Sequence, residues 1–348
     1  MFKKKVLMVA MVVFAGLMST FSLYVYQVIK TPNLQVGKTP VSFIIPNNAS
    51  FRAVQDTLYK YNIVQDMVSF SFVAKVMSYQ ENVKPGLYTI DADMTNIAAV
   101  RMLRAGEQAP SVVTFTHARV INDLYEPITR NILVTEEQFA EAIDSYIATN
   151  TEGFTKETII SMFIPNSYQV YYTISTDNLV LKMNQEYHKF WNEDRLKKAN
   201  ALGLTPNEVS TLASIVQAES VMAEESPIIA GLYINRLKSG IPLQADPTLI
   251  FATGDFTIKR VLNVHKKVDS PYNTYKNKGL PPGPIRMPSI RSLEAVLNYD
   301  NNDYIYMCAK EDFSGYHNFT SSLSVHNANA RRYQKQLSIE QRKARAAR

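Results

Sequence analysis

The chain has little cysteine, and its histidines form none of the usual metal-binding patterns. Cys308 is the one cysteine among 348 residues, which excludes an intramolecular disulfide framework and a multi-cysteine zinc site. The surrounding segment, DYIYMCAK, predicts a buried strand with a packed thiol. The five histidines include no H-E-x-x-H motif and no pair four residues apart with a glutamate between. We therefore expect no metal and no cofactor.

Motifs for a serine nucleophile, phosphate binding and nucleic-acid binding are also missing. There is no G-x-S-x-G, and the segment GLPPGP is stiffened by proline and lacks the Lys-Ser/Thr ending of a phosphate loop. The net charge is +6, and part of it lies in KKK near the start and RKARAAR at the end. Such basic ends are typical of solvated tails, since no interleaved basic-aromatic motif accompanies them. We expect no nucleic-acid partner.

Only one hydrophobic run is long enough to span a membrane. Residues 6–29 carry no charge, and as a helix they would reach roughly 36 Å across a hydrocarbon core of roughly 30 Å. The lysines before this run predict a cytoplasmic N-terminus, residues 1–5, and an exported remainder. A cleaved signal peptide is the main alternative, but the run exceeds a usual h-region and no A-x-A-like site follows. We expect a single-pass protein of the inner (cytoplasmic) membrane with a periplasmic or extracytoplasmic body.

The exported part is predicted to have an α+β fold with a small module and a larger domain. A polar segment with a proline near each end, residues 30–40, predicts a linker. Residues 41–108 predict a compact α/β module in the order strand, helix, helix, strand, with a further helix ended by Gly106. Residues 109–340 predict a mixed α+β domain, and residues 341–348 form a basic tail.

Two segments of the larger domain carry specific predictions. The stretch from DNLV to ANALG predicts one long helix ended by Gly203. The stretch IPLQADPTLIFATG predicts a strand or loop in which Gln244 and Asp246 are polar groups among apolar neighbours.

The segment TLASIVQAESVMA places a glutamate on the apolar face of a predicted helix. The motif TPNE supplies the helix start, with Thr205 as N-cap and Pro206 at the first helical position. Glu219 shares one side of this helix with the apolar residues Leu212, Ile215, Val216, Met222 and Ala223. Because burial of a lone carboxylate is unfavourable, such a group is usually paired, protonated or functional. An ion pair with a basic residue elsewhere in the chain is the structural alternative.

The proline-rich segment SPYNTYKNKGLPPGP is the second unusual feature. Its simplest interpretation is a surface turn, but Tyr272, Asn273, Thr274 and Tyr275 concentrate aromatic, amide and hydroxyl groups that suit sugar recognition. A carboxylic acid in apolar surroundings has a raised pKa and can donate a proton to a leaving oxygen. Glycosidic cleavage usually pairs such an acid with a second carboxylate, for which Asp246 is the candidate.

The order of LASIVQAES, INRL, LQADPT, SPYNTY, GLPPGPI and HNF resembles the endolytic murein transglycosylases, the MltG or YceG-like family, over roughly residues 41–337. The resemblance implies a membrane-anchored enzyme that cleaves the β-1,4 bond between MurNAc and GlcNAc within peptidoglycan glycan strands. It implies 1,6-anhydro-MurNAc ends and a limit on nascent strand length. It also implies a LysM-like module at residues 41–108 and cell-wall synthases or division proteins as partners.

The family's motif residues carry over to individual positions. Glu219 matches the catalytic glutamate. The positions that match substrate-binding motifs of the cleft are Asn235, Gln244, Asp246, Tyr272, Asn273, Thr274, Tyr275 and His317. Two positions depart from the pattern. Gln217 stands where many members carry a second glutamate, which excludes an obligatory pair on that helix, and FTHARV stands where many members have a Pro-Glu-Gly turn.

The resemblance implies that Glu219 acts first as general acid on the bond after MurNAc and then as base toward the muramyl C6 hydroxyl. Asp246 would orient the cleft or stabilise developing positive charge. Three other functions stay open at this point. They are a non-catalytic glycan-binding or division scaffold, a muramidase-type hydrolase that admits water, and a metallopeptidase acting on the stem peptide, which the missing ligand spacing disfavours.

Overall fold

The computed structural model describes residues 2–30, 33–34, 39–92 and 94–346. The chain is a mixed α+β protein, as predicted. Its helices are α1 (Phe2–Lys30), α2 (Phe51–Lys60), α3 (Met67–Val76), α4 (Asn96–Ala105), α5 (Tyr125–Thr129), α6 (Glu136–Thr149), α7 (Thr176–Phe190), α8 (Glu193–Leu202), α9 (Pro206–Glu219), α10 (Ser226–Lys238), α11 (Asp246–Thr253), α12 (Ile290–Leu297) and α13 (Leu323–Ala346). Its strands are β1 (Val41–Ile45), β2 (Gly86–Ile90), β3 (Pro110–Phe115), β4 (Asn166–Tyr171), β5 (Tyr306–Ala309) and β6 (His317–Thr320).

The chain forms two compact units. The first contains the described residues up to Val113, together with 129–135 and 168–175. The second contains 114–128, 136–167 and the described residues from Thr176 onward. The predicted small module, residues 41–108, therefore lies within the first unit.

The first unit has the predicted order of strand, helix, helix, strand and further helix. β1 and β2 pair antiparallel, with Val41 opposite Ile90 and Ile45 opposite Gly86. Side-chain oxygens cap the N-termini of α2, α3 and α4, and Gly106 ends α4 with a left-handed φ of 76°. The buried side chains form one hydrophobic core, which includes Phe43, Leu58, Phe70, Tyr88 and Leu103.

Two residues of the predicted linker are packed into this first unit. Leu34 is 1% exposed and forms a β-bridge with Val64. The Asn33 side chain donates to Asn96 Oδ1 at 2.9 Å and accepts from the Asp66 N–H at 2.8 Å. These contacts explain why a segment with polar composition is not fully solvated, because its amide group satisfies buried polar atoms.

The N-terminal helix α1 has the length and composition of a membrane span. Its Lys4–Val28 portion has a mean hydropathy of 2.2, and none of the apolar window is buried within the protein. One N-terminal apolar helix thus fits a single-pass anchor. At its end Val28 is buried in the core of the first unit.

The second unit is organised around α9, which contacts α8, α10, α11 and α12. The predicted single long helix before it is wrong, because the chain forms α7 and α8 with a break at Trp191 and Asn192. Asn192 adopts an extended backbone, with φ −69° and ψ 174°, and its side chain accepts from the Arg195 N–H to cap α8. A capping asparagine stabilises a new helix start, and helical periodicity alone does not reveal it.

A short hairpin lies near the end of the second unit. β5 and β6 pair antiparallel, with Ala309 opposite His317, and α13 packs on both strands. Cys308 lies in β5 as predicted, but the strand is half-buried rather than buried. Burial and the nearby Glu311 carboxylate raise the pKa of the Cys308 thiol, which favours an inert, protonated group.

Candidate active site

Glu219 is the last residue of α9. A capping box between Thr205 and Glu208 starts the helix, and every residue from Val209 to Val216 is buried. The prediction that Glu219 lies midway along an apolar helix face with Met222 and Ala223 is wrong. The helix ends because Ser220 adopts an extended backbone, with φ −137° and ψ 141°, and a 3-10 turn follows at Ala223–Glu225.

The Glu219 carboxyl group is held in a protonatable state by its surroundings. Burial raises its pKa to about 7, and the negative charge of Asp246 also raises it. Two groups oppose this rise, namely Tyr233, whose hydroxyl donates to Glu219 Oε1 at 2.5 Å, and the Arg236 guanidinium. The effect of desolvation on the pKa is larger than the opposing effects of Tyr233 and Arg236, so the net shift is upward. At neutral pH the group can therefore both donate and accept a proton.

The carboxyl group faces a pocket of about 350 Å³ within the second unit. Its polar lining comes from several elements, namely Glu219, Tyr233, Arg236, Gln244, Asp246, Tyr275, His317 and His326. Leu232, Leu243 and Met307 supply apolar surface. Hydroxyl, amide, guanidinium and carboxyl groups beside apolar carbon match the surface of a carbohydrate.

The α10 helix supplies two pocket groups that sequence reasoning missed. Tyr233 is 2% exposed and Arg236 is 8% exposed. The Arg236 guanidinium donates to the carbonyls of Ile305 and Leu243, each at 2.7 Å, so that a buried charge is satisfied by backbone oxygen. The detectable signal was an arginine within the mostly apolar run GLYINRL, since a buried arginine needs specific acceptors.

Asn235, a predicted substrate-binding residue, joins α10 to the segment before β5. Its amide donates to the carbonyls of Asn302 at 2.8 Å and Tyr304 at 3.0 Å. Because both amide hydrogens bind these carbonyls, Asn235 holds the segment before β5 against α10.

Gln244 and Asp246 both line the pocket, but not on a strand. Gln244 has a left-handed φ of 51°, and its N–H donates to the Thr274 carbonyl at 3.0 Å. Asp246 then opens α11, so the predicted strand or loop is wrong from this position onward. The Pro247 ring favours the first turn of a helix, which the apolar residues after it continue. A non-glycine residue with positive φ is strained, and it directs the Gln244 side chain into the pocket.

The predicted tetrad Tyr272, Asn273, Thr274 and Tyr275 divides into lining and supporting residues. Tyr275 lines the pocket, and its hydroxyl donates to Asp246 Oδ1 at 2.6 Å. Asn273 and Thr274 are buried at 0% and 1% exposure. The Asn273 amide donates to the carbonyls of Lys266 and Val268, and the Thr274 hydroxyl contacts that of Thr248 at 2.8 Å. Tyr272 packs on Phe251, with 4.7 Å between ring centroids.

His317 reaches the pocket from β6 and is fixed by a buried acid. Its Nδ1 lies 2.8 Å from Glu225 Oε2, and its backbone N–H donates to Glu225 Oε1 at 2.6 Å. Glu225 is 3% exposed and also accepts from the Ser220 hydroxyl at 3.0 Å. Sequence reasoning missed Glu225, because an acidic residue in the turn MAEES resembles a solvated one. Through these bonds Glu225 connects the residue after Glu219 to β6.

Gln217 supports the same region from the other side. Its Oε1 accepts from the Ser289 N–H at 2.6 Å, next to the start of α12. In the part of the chain that the structure describes, no group of three or more His, Cys, Asp or Glu side chains could hold a metal ion.

This architecture defines a class of α+β proteins that present one protonatable carboxyl group, at the end of a buried helix, to a polar pocket. The chain belongs to the YceG-like family, whose model matches residues 43–332. The family resemblance drawn from the sequence is thereby confirmed.

Relatives cover most of this chain. An endolytic murein transglycosylase of Bacillus subtilis strain 168 is 27% identical over 316 residues, covering 85% of this chain and 86% of the relative. One from Streptococcus pneumoniae serotype 2 strain D39 is 25% identical over 340 residues, covering 88% of this chain but 61% of the relative. This chain thus spans about 61% of the pneumococcal relative's length.

A solved structure shares the fold. The 2.6 Å crystal structure of a yceG-like protein from Listeria monocytogenes matches with a TM-score of 0.52 and 24% sequence identity. The match covers 84% of this chain and 99% of the Listeria chain.

Proposed function

We propose that this chain is an endolytic peptidoglycan lytic transglycosylase. It cleaves the MurNAc–GlcNAc β-1,4 bond within glycan strands and leaves 1,6-anhydro-MurNAc ends, without consuming water. The observation that carries the proposal is the Glu219 carboxyl group, with a pKa of about 7, at the wall of a polar pocket. The names of the Bacillus and Streptococcus relatives support the same reaction.

In the first step Glu219 acts as general acid. Protonated Glu219 donates to the glycosidic oxygen while the bond from that oxygen to C1 of MurNAc breaks, and positive charge develops on the sugar ring. The Tyr233 hydroxyl, already hydrogen-bonded to Glu219, stabilises the carboxylate that forms.

In the second step Glu219 acts as base. The C6 hydroxyl oxygen of the same MurNAc attacks C1, and its proton passes to the Glu219 carboxylate. The anhydro ring closes and the acid is regenerated, so atoms and charge balance without a second nucleophile. Asp246, held by Tyr275, contributes negative charge that stabilises the cationic sugar between the two steps.

The remaining motif residues divide between two roles in this proposal. Gln244, Asp246, Tyr275 and His317 contact the glycan, since all four line the pocket. Asn235, Asn273 and Thr274 are positioning residues, because their polar atoms bond to the protein itself. Tyr272 stabilises the loop through its contact with Phe251.

We further propose a membrane-anchored arrangement. Helix α1 spans the cytoplasmic membrane with its lysine-bearing end inside, and the catalytic unit is extracytoplasmic. Residues 41–108 act as a LysM-like glycan-binding module, consistent with their strand, helix, helix, strand order. Cleavage of strands as they emerge would limit their length and would bring the protein into contact with cell-wall synthases or division proteins.

Mass spectrometry of glycan strands incubated with the full chain in detergent tests the reaction. We expect internal fragments with anhydro ends, and a loss of at least about 100-fold in rate for Glu219→Gln. Glu224→Gln is the matched control, since Glu224 is an exposed acid in the next turn of the chain.

The products discriminate between the candidate functions. Reducing-end fragments would identify a hydrolase and shift attention to Asp246 as base. Glycan binding without cleavage by either protein would identify a scaffold. Equal rates for wild type and Glu219→Gln would remove Glu219 from the mechanism.

A further inference from the structure

A second cavity lies beside the Glu219 pocket and carries two arginines. It has a volume of about 180 Å³ and is lined by Arg119, Arg286 and apolar side chains that include Ile250 and Phe251. All of these residues belong to the second unit. Cavities lined by apolar surface and a few convergent charged groups are typical of ligand sites.

The two cavities are direct neighbours along the chain. Ala218 and Pro247 line the arginine cavity. Their chain neighbours Glu219 and Asp246 line the first pocket. Consecutive residues are about 3.8 Å apart. The same two segments of the chain, 218–219 and 246–247, therefore contribute to the walls of both cavities.

Backbone contacts hold the two arginines at this place. The Met287 N–H donates to the Ala118 carbonyl at 2.9 Å, which joins the residues next to Arg286 and Arg119. The Ile285 N–H donates to the Ser214 hydroxyl at 3.0 Å, which fastens the same segment to α9. The arginine pair is thus built on the helix that carries Glu219.

Within the described part of the chain, neither guanidinium has a partner of opposite charge. Among the described residues, neither forms an ion pair or a side-chain hydrogen bond, and Arg286 Nε is a buried donor without an acceptor. Burial and the neighbouring Arg119 charge lower the pKa of Arg286. The Arg119 guanidinium lies over the Phe256 ring, 4.1 Å from its centroid. Arg286 is half-buried beside the like charge of the exposed Arg119, and this arrangement is unfavourable until an anion joins the two cations.

We infer that the Arg119–Arg286 cavity binds a carboxylate of the glycan at a sugar next to the cleaved bond. This inference rests on the proposed function and names the substrate as a strand with acidic substituents. Arginine forks bind carboxylates through paired, charge-assisted hydrogen bonds. The carboxylate belongs either to the lactyl ether of a peptide-free muramic acid or to a stem peptide.

Binding of three ligands to the full chain in detergent, with Glu219→Gln in the background to prevent turnover, tests the site. The ligands are peptide-free glycan strands with lactyl carboxylates, peptide-bearing strands, and GlcNAc oligomers without any carboxylate. We expect Arg119→Gln and Arg286→Gln each to weaken binding of at least one acidic ligand about tenfold or more. Binding of the neutral oligomers should not change.

The acidic ligand that loses affinity identifies the source of the carboxylate. Arg260→Gln is the matched control, because it removes the same charge at an exposed position and should leave all affinities unchanged. Thermal unfolding of each variant checks folding. Arg286→Gln should leave the midpoint unchanged, whereas Arg119→Gln should lower it only slightly, because the contact with the Phe256 ring is lost.

Two outcomes would overturn the site alone. In one, the arginine variants bind all three ligands like the parent while the protein with Glu219 intact cleaves glycan strands. In the other, they lose the same affinity for neutral and acidic ligands, which marks a structural role. If the parent binds none of the three ligands and the protein with Glu219 intact cleaves no strand, the proposed function and this site fail together.

Discussion

The raised pKa of the Glu219 carboxyl group makes the free energy of unfolding depend on pH. Its pKa is about 7 in the folded protein, against an ordinary value of 4.5 for a glutamate. Between these values the folded state keeps a proton that the unfolded state has lost, so the free energy of unfolding decreases as pH rises through this window. Above pH 7 the full penalty, about 3 kcal/mol, is present.

Glu219→Gln should remove this pH dependence. Relative to wild type, the variant should gain about 2–3 kcal/mol in the free energy of unfolding between pH 4.5 and pH 8, because the amide does not ionise. Urea unfolding at the two pH values measures the difference. Glu224→Gln, an exposed substitution, should show almost none. A Glu219→Gln profile parallel to wild type would mean that the carboxyl pKa is not raised.

Tyr233 sets the upper end of the activity range under the proposed mechanism. Its hydrogen bond lowers the Glu219 pKa, so Tyr233→Phe should raise that pKa further. The alkaline fall in kcat/KM, which reports loss of the acid's proton, should therefore move to higher pH while the maximal rate decreases. A pH–rate profile measures both effects. Tyr59→Phe, at a side chain 75% exposed, is the control and should leave the profile unchanged. A fall at the same or lower pH would contradict this role for Tyr233.

The candidate site was partly predictable at the residue scale. Glu219 was identifiable because an acid among apolar residues is unusual, and Gln244, Asp246, Tyr275 and His317 do line the pocket. Asn273 and Thr274 could not be assigned from sequence, because amide and hydroxyl groups have the same appearance whether they meet a sugar or a buried carbonyl. Tyr233 was hidden for the opposite reason, since a tyrosine in an apolar helix resembles core packing.

At the scale of elements, α10 depends on a close approach to the segment before β5. A Cβ at Gly231 would lie 2.2 Å from the Asp300 carbonyl oxygen and 2.6 Å from Asn302 Nδ2. The hydrogen bonds from Asn235 to Asn302 and Tyr304 follow one turn later on the same helix. Glycine is thus required here by space rather than by its backbone conformation.

Gly231→Ala should therefore destabilise the protein. In an open helix this substitution stabilises by about 1 kcal/mol through helix propensity. Here the clash with a backbone oxygen should reverse the sign and lower the free energy of unfolding by about 1–3 kcal/mol. Urea unfolding of wild type and variant at one pH measures the sign of the change in the free energy of unfolding. A stabilised variant would mean that the segment 300–302 moves away without loss.

Element boundaries show where sequence patterns fail. Helix α9 begins where its capping residue Thr205 predicts, because a cap is a local hydrogen bond. The break between α7 and α8 and the start of α11 were missed. The break depends on the Asn192 side chain, which caps α8 locally, and the start of α11 follows a tertiary contact, the hydrogen bond from the Gln244 N–H to the Thr274 carbonyl.

At the scale of the whole molecule, α1 is the helix that fits a single-pass membrane anchor. Its apolar character was evident from composition alone, because a run of this length has few alternatives to a membrane. The division of the chain into units was less evident. The first unit takes in residues 129–135 and 168–175, far along the sequence from the rest of it, and no local pattern predicts such an exchange.

Membrane extraction tests the anchor. We expect the full chain to remain in the membrane pellet after an alkaline carbonate wash and to be released by detergent. Val12→Arg with Leu17→Arg should release it, because each arginine near the helix centre opposes insertion by about 2.5–3.5 kcal/mol. The control pair Val12→Leu with Leu17→Ile keeps the helix apolar and should stay in the pellet. Carbonate release of the wild type would show that α1 does not span the membrane.

The position of Glu219 at the very end of α9 has an electrostatic consequence of its own. The aligned peptide dipoles of this helix give its C-terminal end roughly half a negative elementary charge. That partial charge disfavours a carboxylate and so adds to the effect of burial in keeping the proton on Glu219. In the proposed reaction the same helix end then faces the cationic sugar that forms when the proton has left. The C-terminal end of α9 therefore favours protonated Glu219 before the reaction and attracts the cationic sugar after the proton has been transferred.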